Sequence, residues 1–406
     1  MSTPATTVKA ARSTFLLGYR RLLGRADVRR LVISSMVARL PSAMLPLVLL
    51  LLVHQRTGSL AAAGLVVGAF GLGRAVVSPA IGALVDRHGQ AGVLLVGTAV
   101  QAVLLVALLL AVEAQGQVAI VAVLAAAAGS ATPPVQACLR ALWPVVALDE
   151  SAREAAYSFD ATSQETIWIA GPVLVAALLT AVQPAALVVV CAVIGCAGVA
   201  LFASSPISRG WRGARRQGRL WPGALAGGNL RALVATSTFA GATWGALTFG
   251  LTALAVELGA SRASGLLLAG VSIGSISGGL IYGSRAWPWP TLRRYRLLLV
   301  AMAACGLPLL FVHSVAVALP LSLLAGLPLA AVYAGSYVLT GRSAVEGTTT
   351  EAFTWTSSAF ALGVAMGNGS AGGVSQAFGV HAAFGLACAA SVIAVVAALW
   401  VRDPVR

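Results

Sequence analysis

Long apolar runs alternate along the chain with short breaks of charge, proline, glycine or clustered polar residues. A helix needs about 20 apolar residues to cross a hydrocarbon core, so each run long enough reads as one crossing. The pattern predicts twelve spans: 31–53, 60–83, 92–112, 118–143, 160–182, 185–204, 230–256, 263–283, 295–312, 315–341, 352–374 and 380–401. The thinnest separators are Val182-Gln183-Pro184 and His313-Ser314, where little polar sequence divides neighbouring runs.

Composition names the solvent. Hydrophobic residues make up 59% of the 406 and charged residues only 10%, against about a quarter charged in a soluble protein. The net charge is +15, which on a soluble fold would suggest nucleic acid. Here the cations lie in short clusters between apolar runs, so no nucleic-acid partner is expected. With the amino terminus cytoplasmic, 23 of the 27 basic residues fall in or beside cytoplasmic segments. They include seven up to Arg30, six from Arg209 to Arg231, four from Arg285 to Arg296, and Arg87, Arg140, Arg153 and Arg342. Only Arg56 and Arg262 fall outside, a strong positive-inside signal that puts both termini in the cytoplasm.

The organisation follows: a basic segment 1–30, six spans over 31–204, a basic Gly- and Pro-containing linker over 205–229, six more spans over 230–401, and a tail 402–406. A shift of 196 residues superposes Gly82 on Gly278, Gly171 on Gly367, and Ala156-Tyr157 on Ala352-Phe353. Parallel six-helix repeats with a site between them near the midplane are a transporter design.

Between spans two and three stands Gly82-Ala83-Leu84-Val85-Asp86-Arg87-His88-Gly89. Gly82 permits close helix packing, Asp86 can sit at a neighbouring helix amino terminus or pair with an Arg, and Gly89 permits a tight turn. This G-x-x-x-D-R-x-G stretch resembles the signature loop of the major facilitator superfamily (MFS), and the resemblance covers the whole chain. The family usually continues with basic residues where Gln90 and Ala91 stand here. The resemblance implies an all-α membrane protein, twelve transmembrane helices in two six-helix pseudo-symmetric bundles, with this loop latching the outward-facing state. In span five, Gly171-Pro172 resembles the core of the antiporter motif of proton-coupled drug exporters, without its flanking glycines. The same pair is also a generic kink in a membrane helix.

Ionisable side chains inside a bilayer are costly and are usually functional. Arg39, Arg74 and Glu165 all fall in one layer, roughly 9–15 Å above the cytoplasmic face at 1.5 Å per residue. We expect Glu165 to pair with Arg39, Arg74 or both, either as a proton switch or as a static ion pair. Asp160 and Glu351 lie nearer the cytoplasmic ends of spans five and eleven, and read first as charges complementing a helix start. Trp168, Trp244 and Trp355 are candidates for the substrate cavity; helix packing is the alternative use of such rings. No cysteine or histidine spacing suggests a metal, no cofactor is expected, and no paired carboxylate or Ser/His cluster suggests an enzyme.

These features together point to a secondary transporter in a bacterial plasma (inner) membrane. The expected activity is proton-coupled export of small amphiphilic molecules by a monomer. Import of a nutrient or organic acid, and a non-transporting receptor or membrane enzyme, are the alternatives.

Overall fold

A computed structural model describes residues 24–147, 149–213, 223–260, 263–284 and 287–403. Among these, all regular structure is helical. The first half holds α1 (Ala26–Thr57), α2 (Leu60–His88), α3 (Gln90–Glu113), α4 (Val118–Ser130), α5 (Val135–Val146), α6 (Glu150–Leu178) and α7 (Pro184–Ala203). A short helix α8 (Pro206–Gly210) begins the linker. The second half holds α9 (Gly228–Glu257), α10 (Ala263–Gly283), α11 (Thr291–Gly306), α12 (Val315–Gly326), α13 (Leu329–Ser343), α14 (Thr349–Phe378) and α15 (His381–Leu399).

Proline explains why fourteen long helices make twelve crossings. Span four breaks into α4 and α5 at Thr132-Pro133-Pro134, where two consecutive residues lack an amide donor. Span ten, expected as one helix, breaks into α12 and α13 at Leu327-Pro328. By contrast Pro41 and Pro46 in α1, Pro79 in α2 and Pro172 in α6 remain inside continuous helices.

Ten crossings are apolar enough to span a membrane by length and composition alone. The other two are α6 and α14, at corresponding places in the two halves. Both start earlier than the apolar pattern suggests. The α6 helix begins at Glu150 instead of 160 because the Asp149 side chain accepts from the Ala152 amide (2.7 Å), capping a polar first stretch. From that stretch Glu150, Glu154, Tyr157 and Ser158 reach the second bundle.

The first half carries two apolar clusters, one on Val48 and Leu108 and one on Leu31, Leu94 and Leu142 that also takes in Val338 and Phe353 of the second half; the second half's main cluster is built on Leu251, Leu299, Leu329 and Phe384. Backbones approach closely where glycine permits it: a β-carbon at Gly171 of α6 would lie 2.6 Å from that of Ala43 in α1. Tyr157 and Phe353, equivalent under the 196-residue shift, meet each other with ring centroids 6.0 Å apart. Equivalent residues touch only at a symmetry axis, so this contact marks the pseudo-twofold axis between the bundles.

The register corrects one equivalence. Gly82 of α2 faces Thr354 and Glu351 of α14 across the bundle boundary. The glycine of α10 that faces α6 in the same way is Gly279, beside Thr162, whereas Gly278 packs on Leu327 within its own bundle. The local shift is therefore 197.

Both described chain ends lie on the side of the linker. Asn229 exchanges two hydrogen bonds with the Arg402 backbone (3.0 and 2.9 Å), and Arg30 donates to Ser204 (3.0 Å). This side is called the linker end below.

Candidate functional site

A cavity of about 620 Å³ lies between the two bundles. Its wall is mostly apolar, from Leu45, Val67, Leu105, Ile167, Leu268 and Phe360 among others. Helical spacing places Val67, Gly71, Arg74 and Ser78 of α2 on one cavity-facing stripe, and Thr98, Gln101 and Leu105 of α3 on another. Trp168 and Trp244 line it. Trp355 does not. It sits six residues into α14, where it packs by Ala224 and Leu230 at the linker end and points its Nε1 at Glu351 (3.4 Å).

The cavity floor is a charged layer, and its pairing differs from the expected one. Arg39 donates to Asp160 Oδ1 (2.9 Å), not to Glu165. Asp160 Oδ2 accepts from Arg140 (2.7 Å). Asp160 is fully buried and therefore serves both guanidiniums, one on each carboxylate oxygen. It is not a helix-start charge, because α6 begins ten residues before it. Arg140, which the sequence places near the end of span four, is 1% exposed. It donates to Ser357 of α14 (3.3 Å) and lies 3.4 Å over the Tyr337 ring of α13, so it also bridges the bundles. Arg39 further reaches Gln164 (3.3 Å) and Ser163 (3.4 Å). Gln136, with its amide turned to suit these neighbours, accepts from Arg39 (3.3 Å) and Arg140 and donates to Gln164 (3.1 Å). Gln136 and Gln164 carry no charge and so do not stand out among the ionisable groups of the spans.

Glu165 lies five residues above Asp160, roughly 7 Å nearer the middle of the bilayer. It is buried, lines the cavity, and lies beside the Ser275 hydroxyl of α10 without the geometry of a formed hydrogen bond. Arg74 also lines the cavity and is half-buried. Among the described residues neither Arg74 nor Glu165 has an ion-pair partner. Gly171-Pro172 stands just beyond, and Pro172 leaves the Trp168 carbonyl without its usual amide.

Below the layer the bundles close on each other at the linker end. Asp86 of α2 accepts from the Thr350 and Glu351 amides (3.0 and 2.8 Å), capping α14, whose own Thr348 makes no side-chain cap. Negative charge at a helix amino terminus is stabilising, and two charge-assisted bonds add to it. Arg87 is exposed, and Gly89 has φ +88°, which glycine adopts at little cost. Gln90, standing where the family's motif is usually basic, is buried; it donates to the Cys138 carbonyl (3.1 Å) and accepts from Ser208 of α8 (3.1 Å). Further boundary contacts join Glu154 to Arg294 (2.5 and 3.0 Å), Glu150 to Arg342, and Ser158 to the Gly279 carbonyl (2.8 Å). Glu351, in the first turn of α14, accepts from the Ala224 amide of the linker (3.2 Å).

The family model for the Major Facilitator Superfamily matches residues 31–316. A search of the curated proteins found no match. Among solved structures, the chain resembles a bacterial homologue of the iron transporter ferroportin in its outward-facing state, with TM-score 0.73, 13% identity, and 93% of this chain and 99% of that one covered. It resembles the E. coli fucose:proton symporter FucP with TM-score 0.66, 14% identity, and 93% and 100% covered. It also resembles the human organic anion transporter MFSD10 with TM-score 0.64, 16% identity, and 93% and 100% covered. At such identities the likeness is one of fold. Twelve crossings in two bundles, a cavity between them and a family match over most of the length lead to one conclusion: the chain belongs to the Major Facilitator Superfamily, multi-pass membrane proteins that act on small-molecule substrates.

Proposed function

We propose that this chain is a proton-coupled exporter of small amphiphilic organic molecules, working by alternating access as a monomer in a bacterial plasma (inner) membrane. The two units that rock are 31–204 and 230–401, joined by the linker 205–229. The clustering of basic residues at the linker end supports a cytoplasmic linker and cytoplasmic termini. In that orientation the contacts of Asp86, Glu154 and Arg140 close the cytoplasmic side.

One observation carries the coupling: Glu165 is a buried carboxylate on the cavity wall with no cation paired to it among the described residues. An acid held by an arginine has no free proton site, as Asp160 illustrates. An unpaired acid facing a cavity can load and release a proton as access changes. Proton loading at Glu165 removes one charge from the boundary between α6 and α10, which lets those helices slide. The mostly apolar wall with Trp168 and Trp244 supports an amphiphilic cargo over a sugar, which needs many hydrogen-bonding partners.

The test is transport in proteoliposomes under an imposed proton gradient. Wild type should drive substrate against its gradient and lose this with an uncoupler. Glu165→Gln should keep substrate exchange and lose the drive. Undiminished proton-driven transport in Glu165→Gln refutes the coupling role, and drive only toward the linker side makes the protein an importer.

A further inference from the structure

Among the described residues three arginines line the cavity: two share a single carboxylate, and the third has none. Arg39 and Arg140 share Asp160, whose two oxygens are both engaged. Arg74 has no hydrogen-bond or ion-pair partner among the described residues. An unpaired guanidinium this deep is costly: Arg74 stands 14 residues from either end of α2, about 21 Å along the helix from the linker end. Glu165 stands at a matching depth, about 22 Å into α6, but makes no ion pair with it.

Counting the ionisable groups at the cavity and its floor, Arg39, Arg74 and Arg140 against Asp160 and Glu165 leaves one positive charge in excess. Protonation of Glu165 would leave two. The position of Arg74 is also fixed. Gly73, its neighbour, packs against the Ala126 carbonyl of α4, and Gly129 of α4 packs against the Phe70 carbonyl of α2. With α2 held so closely to α4, the Arg74 face is turned to the cavity. A second positive feature points to the same space. Span four is broken there, and α5 presents its amino-terminal residues Pro134, Val135 and Gln136 to the cavity. The amino end of a half-helix carries a partial positive charge and suits anionic groups.

We propose that Arg74 anchors an anion-binding subsite, and that the cargo is an amphiphilic organic monoanion: one carboxylate or sulfonate on an apolar, aromatic-sized body. The acid group sits at Arg74 and supplies the missing negative charge. The apolar body lies against the wall carrying Trp168 and Trp244. This inference rests on the transporter reading above and narrows its substrate class.

The experiment uses the full chain in lipid nanodiscs and three probes that share one body: naphthalene-2-sulfonate, naphthalene-2-sulfonamide and 2-naphthyl-trimethylammonium. Binding is read by tryptophan quenching and by thermal stabilisation. Wild type should prefer the sulfonate over both other probes by about tenfold or more, the scale of one charge-assisted contact. Arg74→Gln should lose that preference while still binding the sulfonamide, which shows that the variant is folded. Arg74→Lys should restore part of it. Equal binding of all three probes by wild type, or an unchanged sulfonate preference in Arg74→Gln, overturns the inference. The transporter reading fails separately: it falls if the same probes bind with this charge preference but no protein-dependent flux appears in proteoliposomes.

Discussion

Asp160→Asn isolates the charged floor. The substitution keeps the shape of the side chain and removes the one anion that serves Arg39 (2.9 Å) and Arg140 (2.7 Å). All three groups are buried, Asp160 completely. Removing one member of a buried pair leaves an uncompensated charge and costs about 3–5 kcal/mol, and here two cations lose their partner at once. For unfolding entropies of about 2.1 cal/mol/K per residue, a chain of this length loses about 4–6 °C in melting temperature. Arg140→Gln should cost less, because Asp160 keeps Arg39 and the pair stays balanced. The double variant Asp160→Asn/Arg140→Gln should recover part of the loss, since one stranded cation is gone. Glu165→Gln should cost under about 1 kcal/mol or stabilise, because a buried carboxylate without a cation gains little from its charge. The assay is a melt of the purified protein in detergent, followed by tryptophan fluorescence. Equal losses for Glu165→Gln and Asp160→Asn would refute the pairing; so would a double variant as unstable as the sum of the singles.

Other predictions concern movement. Asp86→Asn weakens two bonds to the start of α14, about 1–2 kcal/mol. It should shift the population toward the state open at the linker end, read as faster labelling of a cysteine placed at Thr354 in a variant lacking the native cysteines. Gly82→Leu puts a side chain against Glu351, whose Cα would lie 2.9 Å from the new β-carbon. It should block closure at the linker end and abolish transport while leaving expression intact. Glu154→Gln removes the partner of Arg294. It should act in the same direction as Asp86→Asn, with an effect that shrinks in high salt because Glu154 is partly exposed.

Sequence alone determined the crossings and their grouping. Whether a segment prefers lipid to water is a property of that segment, and the hydropathic runs record it without reference to any neighbour. The same holds for the loop from Gly82 to Gly89, whose residue types and spacing are local. The break at Pro133-Pro134, inside a run read as one span, has a local cause as well, the missing amides.

Pairing could not be read this way, because it depends on where each helix starts and how it is turned. An apolar pattern placed the start of span five at residue 160, which made Asp160 a terminal charge and left Glu165 as the natural counter-ion. Ten residues of polar helix before it, stabilised by contact with the other bundle, carry Asp160 inward to Arg39 and Arg140. Arg140 was legible only as a cation near the end of a span; packing between α13 and α14 buries it. Trp355 and Trp244 are alike in sequence, yet rotation about the helix axis sends one to the linker and the other to the cavity. Solvent preference belongs to one segment at a time, while an ion pair or a cavity wall needs two or more, and only the packed bundles decide which side chains meet.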